Sequence, residues 1–265
     1  MAILDTLLGW TLSFHPAMTI LVLSLIVSVI ITLAIKFFTD QTLMKSLREE
    51  LQTLQKQMKD LRNNPKKMAA VNSRVMEANM KYMTHSMRPT LFTFIPIILV
   101  FGWMGSHVGF YPLAPGETFQ LTALFEDDAE GQITLVLPEG LTLVEGELNN
   151  EVSTKKIVWD LSGDTGEYSV DLLFNDKTYT KEVIITNEKL YAPVEKSFKK
   201  SFLFFSSADE NGLNTISLSN EKIIPFSDVP VMKDIPWIGT WGWFGTYFLF
   251  SLVFSMGLRK ALKLY

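Results

Sequence analysis

The chain has 265 residues, 48% of them hydrophobic and 20% charged, with a positive mean hydropathy and a formal net charge of −4. That composition excludes a disordered chain, a collagen-like repeat and a free nucleic-acid-binding module, so DNA is not an expected partner. Cysteine is absent, which removes disulfide frameworks, thiolate zinc sites and cysteine nucleophiles together.

Three charge-free runs divide the chain. No charged residue lies between Asp5 and Lys36, and Ala17 to Ile35 is almost continuously apolar. The next charge-free stretch runs from Arg88 to Glu117, and the last comprises the 24 residues Ile235 to Leu258. About 20 apolar residues at ~1.5 Å each cross the hydrocarbon layer of a bilayer. The pattern predicts a membrane protein with a three-helix transmembrane bundle. Its zones are an N-terminal segment with the first span (1–38), a cytosolic hairpin (39–88), a second span (89–109), an extracytoplasmic segment (110–234), a third span (235–258) and a basic tail (259–265). The first run has no basic leader and no small-residue cleavage site after it, so it reads as a retained anchor.

Charge orients these zones. Residues 36–88 carry a net +6, residues 106–236 a net −12, and the tail, with Arg259, Lys260 and Lys263, a net +3. The positive-inside rule then places the hairpin and the C-terminus in the cytosol of a plasma-membrane protein, with the N-terminus outside. Trp237, Trp241 and Trp243 gather at the outer end of the third span, as an aromatic belt should.

Within the cytosolic zone, Leu47, Leu51, Leu54, Met58 and Leu61 keep heptad spacing. After the break signal Asn63-Asn64-Pro65, so do Met68, Val71, Val75, Ala78 and Tyr82. Two such stripes joined by a short turn predict an antiparallel coiled-coil hairpin. A second stripe, Met76, Met80, Met83 and Met87, either packs on the hairpin or lipid, or offers the adaptable apolar contacts for which Met is suited.

Polar residues recur inside the spans. Ser24, Ser28, Thr32 and Lys36 share one face of the first, Tyr247, Ser251, Ser255 and Arg259 one face of the third, and Thr90 and Thr93 lie in the cytosolic half of the second. Such faces line either a helix–helix contact or a water-filled cavity. Pro96, inside the second span, is placed to kink it.

The outer segment alternates in short stretches, 119–125, 133–137, 141–144, 157–159, 168–174 and 180–185, separated by Pro138-Glu139-Gly140, Gly163-Asp164 and Asn175-Asp176. This predicts an all-β, immunoglobulin-like sandwich. Asp164-Thr165-Gly166-Glu167-Tyr168 looks like a tyrosine corner, with Val170 where antibody domains carry Cys. The acid runs Glu126-Asp127-Asp128-Ala129-Glu130 and Asp209-Glu210-Asn211-Gly212 lack the ligand spacing of a calcium loop and read as solvated acidic faces. His15, His85 and His107 are isolated, and no P-loop, GxGxxG or nucleophile-elbow pattern occurs. No catalytic residue, metal site or cofactor is expected, and an enzyme is not.

The stretch Asn79-Met80-Lys81-Tyr82-Met83-Thr84-His85-Ser86-Met87-Arg88-Pro89-Thr90-Leu91-Phe92-Thr93-Phe94-Ile95-Pro96, and Trp241-Gly242-Trp243-Phe244-Gly245-Thr246-Tyr247 followed by Ser251, Ser255 and Leu258-Arg259-Lys260, resemble the archaeal YidC-like proteins of the YidC/Oxa/Alb insertase superfamily. That superfamily includes a core subunit of the eukaryotic endoplasmic-reticulum membrane protein complex. The resemblance covers residues 15–110 and 235–265. It implies a membrane protein insertase and chaperone whose spans enclose a hydrophilic groove open to cytosol and lipid. The implied groove residues are Ser24, Ser28, Thr32, Lys36, Thr93, Tyr247, Ser251, Ser255 and Arg259. Met76, Met80, Met83 and Met87 would meet the nascent chain or ribosome. Implied partners are nascent membrane proteins, the ribosome through the basic hairpin, a translocon or accessory subunits, and the lipid bilayer. Bacterial members carry a cation deep in their first core span, whereas here Lys36 sits near the cytosolic end, and archaeal relatives have only a short connection in place of the β-domain. A second reading is a membrane-anchored scaffold that binds partners through its coiled coil and β-domain. A channel subunit is disfavoured, because no mid-span charge is present to form a selectivity ring.

Overall fold

The computed structural model describes residues 2–61, 64–198, 200–202, 205–207 and 212–262. The chain divides into two units, one formed by Met1–Gly102 with Pro225–Tyr265, the other by Trp103–Ile224.

The first unit is helical. Helix α1 (Ala2–Leu8) runs into a 3-10 turn (Gly9–Ser13), and α2 follows at Pro16–Phe38. Proline at the first position of α2 surrenders an N–H that has no helical partner anyway, and the His15 ring nitrogen accepts from Ala17 N at 3.3 Å. Helix α3 (Gln41–Asp60) starts where Asp40 accepts from the backbone N–H groups of Thr42 and Leu43, both at 3.0 Å, the usual N-cap chemistry. Helix α4 covers Pro65–His107, opened by Asn64, whose side chain accepts from Lys67 N at 3.3 Å. Asn63 of the expected break lies outside the described residues.

Among the residues of α3 and α4, the two heptad stripes are buried or half-buried, with Leu47, Leu54 and Ala78 the most enclosed. Arg74 of α4 lies 4.0 Å from Glu50 of α3. Helix α4 bends by 52° between its Lys66–Met87 and Phe92–His107 parts. The bend falls between Met87 and Phe92 rather than at Pro96. The side chains of Arg88, Pro89, Thr90 and Leu91 lie outside the described residues, as does the tail residue Lys263.

Helix α5 (Trp243–Ala261) packs along α2. Of the three apolar runs, α2 alone forms a described helix long and apolar enough to cross a membrane by itself; α4 supplies a second only if its bent parts count as one span. The third run departs most from expectation. Residues 235–242 form turns and a 3-10 helix, Ile238–Thr240, so the helix starts at Trp243 and takes in Arg259 and Lys260. The reason is local. Pro236 interrupts the ladder, Trp237 has φ +79°, and Gly239 crosses so close to Lys233 that a Cβ would come 2.3 Å from its carbonyl oxygen.

The second unit contains strands β1 (Phe119–Phe125), β2 (Gln132–Val136), β3 (Leu141–Glu145), β4 (Asn149–Glu151), β5 (Lys156–Gly163), β6 (Gly166–Phe174), β7 (Lys177–Ile185), β8 (Glu195–Ser197), β9 (Lys200–Phe202), β10 (Phe205–Ser207) and β11 (Leu213–Leu218). They form antiparallel sheets in the orders β3-β5-β1-β11-β8 and β4-β2-β6-β7, with β9 and β10 paired separately. The inward residues of both larger sheets share one core, in which Trp159, Leu121, Leu161, Val170, Leu172 and Phe174 are fully buried. Asn175 and Asp176 both have positive φ and join β6 to β7 in a two-residue hairpin, the geometry that matches the strand twist. The Tyr168 hydroxyl donates to Asp164 O at 2.9 Å, closing the corner expected there. Gly140, at φ +95°, lies against that ring, and a Cβ on it would sit 2.9 Å from the phenol.

Candidate functional site

The polar faces of the helical unit differ in exposure along their length. On α2, Ser24, Ser28 and Thr32 are buried, while Lys36 is exposed. Two of these hydroxyls turn back onto their own helix: Ser24 donates to Leu21 O at 2.8 Å and Thr32 to Ser28 O at 2.6 Å. On α5, Tyr247 is buried, Ser251 and Ser255 are half-buried and Arg259 is exposed. Ser251 likewise donates within its helix, to Phe248 O at 3.0 Å. Thr93 on α4 is buried.

Aromatic contacts hold these helices together. Phe101 of α4 meets the Tyr247 ring edge-on, with centroids 4.8 Å apart, and touches Trp243 and Phe244 beside it. Phe38, the last residue of α2, stacks on Phe92 of α4 at 4.3 Å. Exposure along α5 thus rises from Tyr247 to Arg259. Met76, Met80, Met83 and Met87 are all exposed, on the side of α4 away from its half-buried heptad stripe.

Several buried hydroxyls escaped the stripe pattern. Thr246 is fully buried and donates to Gly242 O at 3.1 Å. Thr11 and Thr19 are buried together, Thr19 Oγ1 donating to Thr11 O at 2.7 Å. Thr39, at the joint between α2 and α3, buries its hydroxyl oxygen with no hydrogen-bond partner. Thr246 adjoins Tyr247 in a sequence already marked as polar; Thr39 follows an apolar run and carried no signal.

In the β unit, Glu126, Asp127, Glu130 and Glu151 line an open cleft of about 740 Å³, and Asp127 pairs with Lys155. Among the described residues no group of three or more His, Asp and Glu is placed to hold a metal ion. The second acid run, residues 209–211, lies outside the described residues. Burial raises the Tyr191 phenol above its ordinary value, only partly offset by the Gly109 N–H that donates to it at 2.7 Å.

The description "Integral membrane protein EMC3/TMCO1-like" fits a family that matches residues 2–134, half of the chain, from α1 through β1 into β2. The chain belongs to this family. The EMC3/TMCO1-like family lies within the broader YidC/Oxa/Alb insertase superfamily, is related to membrane protein insertion, and is integral to membranes. The expectation of an archaeal YidC-like protein is thus met at the level of the superfamily. No curated protein and no solved structure matches the chain. The family match takes in α2, the hairpin and α4 of this EMC3/TMCO1-like protein, and stops before α5 and most of the β unit.

Proposed function

We propose that this EMC3/TMCO1-like protein inserts short polar tails and transmembrane helices into the bilayer through a cytosol-open hydrophilic groove between α2, α4 and α5. In this reading the three helices form a transmembrane bundle, with the N-terminus and the immunoglobulin-like β-domain outside and the C-terminus in the cytosol. The α3–α4 hairpin acts as a cytosolic coiled coil that meets the ribosome, and the exposed Met76, Met80, Met83 and Met87 receive the apolar part of a nascent chain. The role is physical: no enzyme chemistry, metal or cofactor enters it. A charge placed mid-membrane costs roughly 2.5–3.5 kcal/mol on insertion scales, and a polar, hydrated groove lowers that barrier for a tail in transit.

The observation that carries the reading is the gradient of exposure along α5 from buried Tyr247 through half-buried Ser251 and Ser255 to exposed Arg259; in this reading water and substrate enter from that basic end. Replacing Ser28, Thr32 and Ser251 together by Leu is expected to abolish insertion of a short-tailed client into proteoliposomes. Unchanged insertion would overturn the groove. One observation favours the membrane-anchored scaffold instead. Ser24 and Thr32 are buried and spend their hydroxyl protons within their own helix, as packing residues do. The scaffold reading predicts that unrelated anchors can replace the spans without loss.

A further inference from the structure

The N-terminal arm carries two different faces. Ile3, Leu7, Trp10, Phe14 and Met18 step by four, three, four and four residues, and all five are exposed, Ile3 to 77%. Leu8 and Thr11 turn the other way and are buried, with Thr11 O held by Thr19 of α2. Asp5 and Ser13 are exposed polar positions of the arm. A protein-facing side, exposed polar positions and an unpartnered apolar stripe with Trp in it are the marks of a segment lying in a membrane interface.

A second segment of the same unit is apolar and exposed where water would not favour it. Between Pro225 and α5, Val231 has φ +72° and is 73% exposed, and Trp237 has φ +79° and is 80% exposed. Non-glycine residues in the left-handed region cost about 1–3 kcal/mol each and persist where the surroundings use them. Here the strained backbone presents a valine and a tryptophan outward. The two segments meet: His15 Nε2 lies 2.9 and 3.0 Å from the two carboxylate oxygens of Asp228, and Phe226 packs edge-on against Phe250 of α5 at 5.9 Å. The arm leads directly into α2, whose own exposed residues Met18, Leu25 and Leu33 are apolar and, in an integral membrane protein, face lipid. The apolar stripe of the arm is continuous with that surface.

We propose that residues 2–14 and 225–242 together form a platform lying in the headgroup–acyl boundary of one leaflet, at the end of the membrane where α2 begins. Ile3, Leu7, Trp10, Val231 and Trp237 are its lipid-embedded side chains, and the His15–Asp228 pair holds its two parts together. The occupant is lipid. Trp is favoured at this depth because its ring is apolar and its N–H polar, and Asp5 and Ser13 stay on the wet side.

The absence of native cysteine makes the test direct. The full chain carrying Leu7→Cys, Trp237→Cys or the control Asp5→Cys is spin-labelled and reconstituted in 3:1 phosphatidylcholine–phosphatidylglycerol vesicles. Collision with oxygen and with a water-soluble nickel chelate then reads the depth of each label. The expected result is an oxygen-to-nickel collision ratio several-fold higher at positions 7 and 237 than at 5, corresponding to about 5–10 Å into the interface. Equal ratios at all three positions would overturn the platform, as would collision with neither reagent, which indicates protein contact. Lipid contact at one segment alone would overturn its two-part form. Ile3→Cys and Val231→Cys repeat the measurement on neighbouring exposed sites should either first variant fold poorly. No client or ribosome is present, so the outcome stands apart from that of the insertion assay.

Discussion

Among the described residues, Lys181 is the only charged side chain buried at an inward-facing strand position of the β unit, and it makes the stability of that unit depend on alkaline pH. Its ammonium donates to Glu182 O at 2.9 Å and Pro193 O at 2.6 Å. Burial, opposed by the Glu182 carboxylate and aided by Lys196, brings its pKa from 10.5 down to about 8. The native state thus releases this proton near pH 8, while the unfolded chain holds it until about 10.5. Between those values the unfolded state binds more protons, so stability rises with pH. The span of about 2.5 pH units at ~1.4 kcal/mol each sets a ceiling of about 3.5 kcal/mol. Lys181→Met removes the titration but leaves the Pro193 carbonyl without this donor, which costs about 1–3 kcal/mol. The variant is therefore expected near wild-type stability at pH 7 and progressively below wild type from pH 8 to 10.5. Hydrogen exchange of the slowest β-unit amides in both proteins reads the difference, in which the other titrating groups cancel. A difference that stays flat across that range would refute a lowered lysine pKa.

Gly140→Ala is expected to destabilise the β unit by more than Tyr168→Phe. The alanine forces a side chain into a positive-φ position against the Tyr168 ring, whereas the phenylalanine loses one hydrogen bond worth about 1 kcal/mol; denaturant midpoints give the order. Asp40→Ala removes both N-cap acceptances of α3 and should cost about 1 kcal/mol, seen as faster exchange of the Thr42 and Leu43 amides. Changing Met76, Met80, Met83 and Met87 together to Ser should leave thermal stability unchanged, because all four are exposed. It should still reduce photocrosslinking to an apolar nascent segment; undiminished crosslinks would remove these residues from the client path.

Period and turn chemistry made much of the β unit legible. The alternation of residues 119–125 matches β1 residue for residue, with its odd positions buried, and Asn175-Asp176 falls at the tip of the β6–β7 hairpin. Strand β11 escaped notice because a register shift at Leu124/Phe125 leaves Thr215 and Ile216 both buried, which breaks the alternation that marks a strand. Heptad spacing picked out the less exposed side of both hairpin helices. Apolar composition could not locate the start of α5, since residues 235–242 are as uncharged as Trp243–Leu258 that follow them and only their backbone geometry sets them apart. In the candidate groove, spacing put the hydroxyls on one face, but whether that face is open depends on neighbours distant in sequence: Ser24 and Ser255 have the same chemistry, and one is buried while the other is half-exposed. The N-terminal apolar stripe was present in the sequence as helical spacing and became informative only once Leu8 and Thr11 were seen to face the other way.

The β unit occupies one continuous stretch, Trp103–Ile224, between α4 and the helix that packs along α2. Ribosomes add roughly 5–20 residues per second, so more than a hundred intervening residues separate the appearance of α4 from that of α5 by something like six to twenty-five seconds. Throughout that interval α2, with Ser24, Ser28 and Thr32 along it, exists without its packing neighbour. The order of the segments along the chain thus gives this protein a long-lived biosynthetic stage in which α2 is itself an unfinished polar-faced helix.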